Sequence, residues 1–134
     1  MQRAAQNHTQ LHRIVVVEDN LDQVHTLAMM LREMGHAVDF AINGYVAYDL
    51  VRRFRPDTVI VDLGLPGMTG YEVATQIRKD PELHAVRLIA FTAYADKAYR
   101  DRAMAVGFDD YHVKPVDPRL LYALFGDAKD FQAR

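Results

Sequence analysis

The chain has 134 residues, of which half are hydrophobic and a quarter are charged. This length suits one domain with its own core, and the composition is typical of soluble globular proteins. The net charge of −2 argues against a protein that wraps nucleic acid. The absence of cysteine excludes a disulfide framework and thiol catalysis. No apolar run approaches the roughly 20 residues that cross a bilayer. The polar N-terminus lacks the apolar core of a secretory signal, so we expect a cytoplasmic protein.

Three segments are expected along the chain. They are a flexible tail over residues 1–12, one folded domain over residues 13–126 and a short tail over residues 127–134. The first tail is polar and has no hydrophobic periodicity. His8 and His12 are four residues apart, a spacing that could share a metal on a helix. Two solvated histidines in a tail are the simpler interpretation.

Strand and helix patterns alternate five times through the folded segment. Short runs of β-branched residues predict strands, and apolar residues that recur every three or four positions predict helices. The predicted strands are residues 14–17, 37–41, 58–61, 86–91 and 108–113. The predicted helical stripes are residues 21–31, 47–54, 73–77, 96–106 and 118–125. This order predicts a parallel sheet with helices on both faces and right-handed crossovers.

Individual residues indicate where several helices begin and end. Asn20 is placed to cap the first helix, with Gln23 as its capping-box partner. Gly35 is placed to end that helix, and the second helix should stop before Pro56. The fourth helix, residues 96–106, has a thin stripe of small or partly polar residues, so we expect it to be loosely held.

Four of the five predicted strands end in a chemically active side chain. Glu18 and Asp19 follow the first strand, Asp62 the third, Thr92 the fourth and Lys114 the fifth. These residues should converge, because parallel strands end at one edge and ligands bind outside it. Clustered carboxylates repel without a cation, and oxygen ligands suit Mg²⁺. Asp62 could then attack a phosphoryl group as nucleophile, with Lys114 and the Thr92 hydroxyl neutralising its oxygens.

Each of these residues also has a plainer interpretation when it is taken alone. Asp19 could cap the first helix, Lys114 could be a surface lysine, and Tyr111 could be a core aromatic. The complete set, in this order at the strand ends, is hard to obtain by chance. The pattern as a whole therefore favours a functional site.

The same residues resemble the motifs of receiver domains of two-component response regulators, of the chemotaxis CheY type. The resemblance rests on Val-Val-Glu-Asp-Asn at 16–20, Val-Asp-Leu-Gly-Leu-Pro-Gly-Met-Thr-Gly at 61–70, Phe-Thr-Ala at 91–93 and Gly-Phe-Asp-Asp-Tyr-His-Val-Lys-Pro at 107–115. It runs from about residue 13 to residue 125. It implies a doubly wound, flavodoxin-like α/β fold, the CheY-like (βα)5 arrangement with strand order 2-1-3-4-5.

The resemblance implies that Asp62 is the phosphoacceptor and that the cofactor is Mg²⁺. Asp19 and Asp62 are the implied direct metal ligands, together with the backbone carbonyl of Gly64. Glu18 stands where many relatives carry Asp, and it is expected to reach the metal through water.

The resemblance also implies how the phosphoryl group is bound and sensed. The expected phosphate contacts are Thr92, Ala93 and Lys114, and the expected switch pair is Thr92 and Tyr111. The peptide bond between Lys114 and Pro115 is expected to be cis.

The implied function is that of a phosphoacceptor switch, which catalyses only its own phosphorylation and dephosphorylation. Its expected partners are a sensor histidine kinase or histidine phosphotransfer protein, and an unidentified downstream protein. A homodimer is left open. Direct DNA binding would need an output domain and is not expected, since fewer than ten residues follow Phe125. Membrane contact is not expected because the chain has no long apolar run.

Two alternatives remain. The chain could be the receiver module of a hybrid histidine kinase or multidomain regulator, as Gly-Leu-Pro-Gly-Met at 64–68 suggests. It could also be an aspartate-nucleophile phosphatase, although those enzymes need a second acid two residues after the nucleophile, where this chain has Gly64. In this family, the residues two positions after the phosphoacceptor and two after the switch threonine influence how fast water hydrolyses the acyl phosphate. Here they are the small Gly64 and the bulky Tyr94, so the lifetime of the phosphate is left open.

Overall fold

The computed structural model describes residues 11–126, and residues 1–10 and 127–134 lie outside the described part. The strands are β1 Arg13–Val17, β2 Ala37–Ala41, β3 Thr58–Val61, β4 Arg87–Thr92 and β5 Asp110–Val113. The α-helices are α1 Leu21–Glu33, α2 Gly44–Phe54, α3 Gly70–Lys79, α4 Lys97–Val106 and α5 Pro118–Phe125, with a 3-10 turn at Pro81–Leu83. The predicted alternation of strands and helices is confirmed.

The strands form one parallel sheet in the order β2-β1-β3-β4-β5. The doubly wound fold and the strand order are therefore confirmed, with β2 at an edge as its alternating pattern predicted. Val17 pairs with both Ala41 and Val61 in the register. The residues that follow β1 and β3 consequently lie side by side at the carboxyl edge.

Helices cover both faces of the sheet, so alternate residues of each strand enter different hydrophobic clusters. One cluster lies beneath α2, α3 and α4 and includes Val15, Val61, Leu50, Ile77 and Ala103. The other lies beneath α1 and α5 and includes Val16, Ile60, Leu31, Leu121 and Phe125. Because both sides of the central strands are buried, their sequences contain continuous apolar runs.

The first helix begins as predicted but without the predicted capping box. Asn20 Oδ1 accepts a hydrogen bond from the backbone N–H of Gln23 at 3.0 Å. The side chain of Gln23, however, contacts Lys114 and does not return to Asn20. A hydrogen bond from an ammonium is stronger than one from a neutral N–H, which explains the difference. A reciprocal capping box forms instead at α3, between Thr69 and Glu72.

The fourth helix is held as loosely as its sequence predicted. Ala103 is the only residue that α4 buries. Its N-cap, Asp96, makes no side-chain hydrogen bond to the helix. Tyr71 on α3 contacts α4 twice. Its hydroxyl donates to the carbonyl of Tyr99 at 3.2 Å, and its ring lies 4.1 Å from the Arg102 guanidinium.

His12 belongs to the folded part of the chain, which corrects the predicted boundary of the N-terminal tail. Its backbone N–H donates to Nδ1 of His36 at 3.0 Å, and its Nδ1 lies 3.1 Å from Oδ1 of Asp57. The edge of its ring also packs on Phe125. Composition could not reveal these partners, which come from three distant parts of the sequence. His8 lies outside the described residues, so a metal shared between His8 and His12 stays a hypothesis.

The helices of residues 11–126 are too short or too polar to span a bilayer.

Candidate functional site

Asp62 lies at the centre of the carboxyl edge, directly after β3. Its backbone N–H donates to the carbonyl of Val17 at 3.0 Å, which extends the sheet pairing by one residue. Its Oδ1 accepts from the N–H of Gly64 at 2.9 Å. The Asp62 side chain is 13% exposed. It is therefore held in a fixed position that a ligand at the sheet edge can reach.

Glu18 and Asp19 place two further carboxylates beside Asp62. Each of the three residues offers one oxygen, and these oxygens lie within 4.8 Å of one another. Oxygens that bind one Mg²⁺ lie up to about 4.2 Å apart, so a small movement would bring the three onto a single ion. All are hard oxygen donors, which suit Mg²⁺. The donor set therefore fits the predicted metal.

Lys114, just after β5, reaches into this acidic cluster. Its Nζ donates to Oε1 of Glu18, to Oδ2 of Asp62 at 3.1 Å and to Oε1 of Gln23 at 2.7 Å. Burial lowers the pKa of Lys114, but the hydrogen bond to Glu18 and the charge of Asp62 outweigh burial and raise the pKa above its ordinary value. Lys114 is therefore a cation at neutral pH.

Glu18 is the most enclosed carboxylate of the cluster, with 5% of its surface exposed. Burial raises its pKa, although hydrogen bonds from Lys114 and from the backbone N–H of Asn20 oppose the shift. Three carboxylates and one ammonium leave the site with an excess of negative charge. The cluster is thus arranged to attract a cation.

Thr92 and Tyr111 both bind Tyr94, in the loop between β4 and α4. Thr92 is fully buried, and its Oγ1 accepts from the backbone N–H of Tyr94 at 3.2 Å. The Tyr111 hydroxyl donates to the Tyr94 carbonyl. Burial raises the pKa of Tyr111, which keeps the hydroxyl protonated and able to donate. The two predicted switch residues are therefore connected through the backbone of one loop residue.

The side chain of Tyr94 lies over the site. A Cβ placed on Gly64 would be 3.1 Å from the Tyr94 hydroxyl oxygen and 3.6 Å from Oδ1 of Asp62. The Tyr94 ring stacks on Tyr99, with centroids 4.4 Å apart. Gly64 and Tyr94 are thus complementary, since the tyrosine occupies space that a larger residue at position 64 would need.

A cavity of about 620 Å³ leads from the site towards the groove between α1 and α5. Its polar end includes Asp62, Lys114 and Gln23, and Ala93 lies on its wall. The Lys114–Pro115 peptide bond at its rim is cis.

Four of the predicted site residues therefore lie together at the carboxyl edge of the sheet. Lys114 forms ion pairs with Glu18 and Asp62, and Asp19 offers an oxygen within 4.8 Å of oxygens of both carboxylates. Thr92 accepts a hydrogen bond from Tyr94, and Gly64 donates its N–H to Asp62. The phosphate contact of Thr92 and the metal contact of the Gly64 carbonyl stay predictions. The sequence interpretation missed the contact between Gln23 and Lys114, because it assigned that glutamine to the helix cap.

The sequence of the chain is similar to those of known response regulators. Residues 14–125 match the family described as "Response regulator receiver domain". The chain is 33% identical over 119 residues to the polar-differentiation response regulator DivK of Brucella anthropi, covering 86% of this chain and 97% of DivK. It is 36% identical over 115 residues to the DNA-binding response regulator MtrA of Mycobacterium tuberculosis, covering 86% of this chain but 49% of MtrA.

A solved structure resembles the whole folded part. The receiver domain of the sensor histidine kinase PA1611 from Pseudomonas aeruginosa PAO1 superposes with a TM-score of 0.78 and 30% identity. The match covers 87% of this chain and 95% of that one. That structure has a magnesium ion coordinated in its active site cleft.

Proposed function

The chain belongs to the family of response regulator receiver domains, and we propose that Asp62 is the residue at which it accepts a phosphoryl group. Its function is that of a receiver in two-component signalling. The observation that carries the proposal is the position of Asp62. Its carboxylate ends the central strand, 3.1 Å from an ammonium and within 4.8 Å of two further carboxylate oxygens.

The proposed donor is a phosphohistidine on a sensor histidine kinase or a histidine phosphotransfer protein. A carboxylate oxygen of Asp62 attacks phosphorus, a P–O bond forms, and the P–N bond breaks with its electron pair going to the donor imidazole. Lys114, already beside Asp62, moves to a phosphoryl oxygen. Thr92 Oγ1 only accepts in its bond with Tyr94, so its hydroxyl proton is available when the side chain turns and donates to a second phosphoryl oxygen.

The residues proposed to hold Mg²⁺ are Asp19, Asp62, the backbone carbonyl of Gly64 and, through water, Glu18. When bound, the ion would offset the charge of the clustered carboxylates and of the phosphoryl oxygens. The fit of the donor set supports this assignment.

The proposed output surface is formed by α4, β5 and α5. Tyr99, Met104, Val113 and Tyr122 expose apolar side chains on these elements. When Thr92 turns to the phosphoryl group, it loses its bond to Tyr94, and Tyr111 loses a fixed acceptor in the same loop. The loop and the loosely held α4 then change arrangement, and a downstream protein recognises the new surface.

The test is phosphorylation by acetyl phosphate in the presence of Mg²⁺, followed by measurement of intact mass. We expect one added phosphoryl group, which is lost when Mg²⁺ is omitted and in Asp62→Asn. Asp49→Asn removes an exposed carboxylate on α2 and should be phosphorylated like the wild type. An adduct that persists in Asp62→Asn, or a rapid-quench experiment without an adduct, would refute the assignment.

Two relatives favour a second arrangement, in which this domain works as the receiver module of a larger protein. The chain matches only 49% of MtrA, and the PA1611 domain comes from a sensor histidine kinase. The length of the encoded gene separates a single-domain regulator from such a module.

We expect no general phosphatase activity. Gly64 offers no acid to protonate a leaving group at the position where the aspartate-nucleophile enzymes carry one. Repeated turnover of p-nitrophenyl phosphate would contradict this expectation.

A further inference from the structure

We propose that Gln23 is a positioning residue for Lys114, which it holds at the phosphorylation site. The inference rests on the proposed function and assigns a role to a residue outside the acidic cluster. The carboxamide Oε1 of Gln23 lies 2.7 Å from Nζ of Lys114, closer than the Asp62 oxygen at 3.1 Å. An ammonium can only donate, so the oxygen of the carboxamide must face it.

The contact completes the hydrogen bonding of Lys114. An ammonium has three N–H groups, and here each has an acceptor, namely Glu18, Asp62 and Gln23. The first two acceptors belong to the carboxylate cluster, whereas Gln23 does not. Gln23 is therefore the one neutral acceptor among the three.

This difference matters during phosphorylation. The carboxylates of Glu18 and Asp62 are the groups that a cation and the incoming phosphoryl group engage, so their oxygens become less available to Lys114. The Gln23 oxygen has no such second role. It retains one N–H of Lys114 while the other two turn to phosphoryl oxygens.

The position of Gln23 suits this task because its backbone is fixed. Gln23 lies in the first turn of α1, where its N–H donates to Oδ1 of Asn20 at 3.0 Å. Lys114 comes from the end of β5, 91 residues later in the chain. The contact thus connects α1 to the end of β5 across the mouth of the site. Because the carboxamide is uncharged, the contact does not neutralise the charge of Lys114.

The test combines a direct measurement on Lys114 with a kinetic one. Gln23→Met keeps the length of the side chain and removes the acceptor. Gln76→Met is the matched control, since Gln76 is an exposed glutamine on α3. The chain has four lysines, so the ammonium resonance of Lys114 can be assigned in ¹⁵N-lysine-labelled protein by comparison with Lys114→Arg.

We expect the Lys114 ammonium protons to exchange with water several-fold faster in Gln23→Met, without Mg²⁺ or phosphate, and at the wild-type rate in Gln76→Met. Unchanged exchange in Gln23→Met would overturn the inference. This measurement requires no phosphorylation, so its result stands even if Asp62 proves not to be the phosphoacceptor.

The kinetic measurement separates positioning from a structural role. Gln23→Met should slow phosphorylation by acetyl phosphate about 3- to 10-fold, the effect of one hydrogen bond of roughly 1 kcal/mol. In a Lys114→Ala background the same substitution should have no further effect, because there is no ammonium left to position. Equal slowing in both backgrounds would show that Gln23 acts through the structure of α1, and would overturn the proposal.

Discussion

At the scale of single residues, two glycines near Asp62 differ in what surrounds them. A Cβ on Gly70 would lie 2.5 Å from the backbone oxygen of Asp62 and 2.7 Å from Cα of Leu63. These are backbone atoms of the loop that carries the phosphoacceptor, so they cannot move without distorting it. At Gly64 the nearest atom is the terminal hydroxyl of Tyr94, at 3.1 Å.

This contrast predicts different costs for the same substitution. Gly70→Ala should destabilise the protein by about 1–3 kcal/mol, as overpacking against a fixed backbone does, whereas Gly64→Ala should cost under ~1 kcal/mol because a side-chain end can shift. Urea denaturation midpoints at equal slope provide the measurement. Equal costs for the two variants would contradict the packing described for Asp62, Gly64 and Gly70.

His112 predicts a dependence of stability on pH. Its Nε2 is buried without a hydrogen-bond partner among the described residues, and its ring packs edge-on against Phe91. Burial lowers the pKa of His112, although the charge of Asp110 opposes the shift and Arg87 adds to it. The folded state therefore binds a proton at this ring less readily than the unfolded state does.

The free energy of unfolding should consequently fall as the pH drops below about 6.5. In this range the histidine of the unfolded chain binds a proton more readily than His112 of the folded protein does. In His112→Gln this contribution is absent, so the wild type should lose free energy of unfolding relative to the variant between pH 7 and pH 5. Chemical denaturation of both proteins across this range measures the difference. Parallel profiles would show that His112 does not contribute.

At the scale of secondary-structure elements, α3 and α4 begin differently. The N-cap of α3, Thr69, exchanges two hydrogen bonds with Glu72, at 2.9 and 3.3 Å. Asp96 stands at the corresponding position of α4 and makes no side-chain hydrogen bond to the helix. The N-terminus of α3, next to the phosphorylation loop, is therefore stabilised by a capping box. The N-terminus of α4, at the proposed output surface, has no side-chain cap.

We therefore expect Thr69→Ala to lower the free energy of unfolding by about 1 kcal/mol, the usual effect of a lost N-cap. Asp96→Ala should cost under ~0.5 kcal/mol, since only its charge near the helix dipole is removed. Thermal or chemical unfolding of the two variants provides the comparison. A larger loss for Asp96→Ala would show that α4 depends on its N-cap after all.

At the scale of the whole molecule, the site and the proposed output surface meet at Tyr94. Thr92 binds the N–H of this residue, Tyr111 binds its carbonyl, and its ring stacks on Tyr99 of α4. A change at Thr92 can therefore reach α4 through adjacent contacts. The only residue α4 buries is Ala103, so little packing opposes a rearrangement.

Amide exchange should detect this coupling. With beryllofluoride and Mg²⁺ as a phosphoryl mimic, exchange over residues 94–112 should change from that of the unliganded protein, while exchange in β1 and β3 should not. Tyr111→Phe should speed exchange around Tyr94 without the mimic, because the bond to its carbonyl is lost. Tyr122→Phe is the matched control, since Tyr122 is an exposed tyrosine on α5. Unchanged exchange over 94–112 with the mimic would refute the switch mechanism.

The sequence by itself determined the order of elements, the parallel sheet and the residues at its carboxyl edge. Buried parallel strands require continuous apolar runs, so strands such as Thr58–Val61 are visible in the sequence, and the side chain after each run must lie at the common edge. The sequence determined the first and last residues of the elements less well. The strand predicted from residue 108 begins at Asp110, because the N–H of Phe108 bonds to Ala103 and closes α4.

Only the tertiary structure decided which side chains meet across distant elements. Gln23 has an ordinary place in a helix cap until β5 brings Lys114 within 2.7 Å of it. Tyr94 is merely bulky until its hydroxyl lies where a side chain at Gly64 would be. His12 is a tail residue until His36 and Asp57 provide its partners. Hydrophobic periodicity reports burial along one element, whereas these contacts depend on how separate elements pack, which no local pattern encodes.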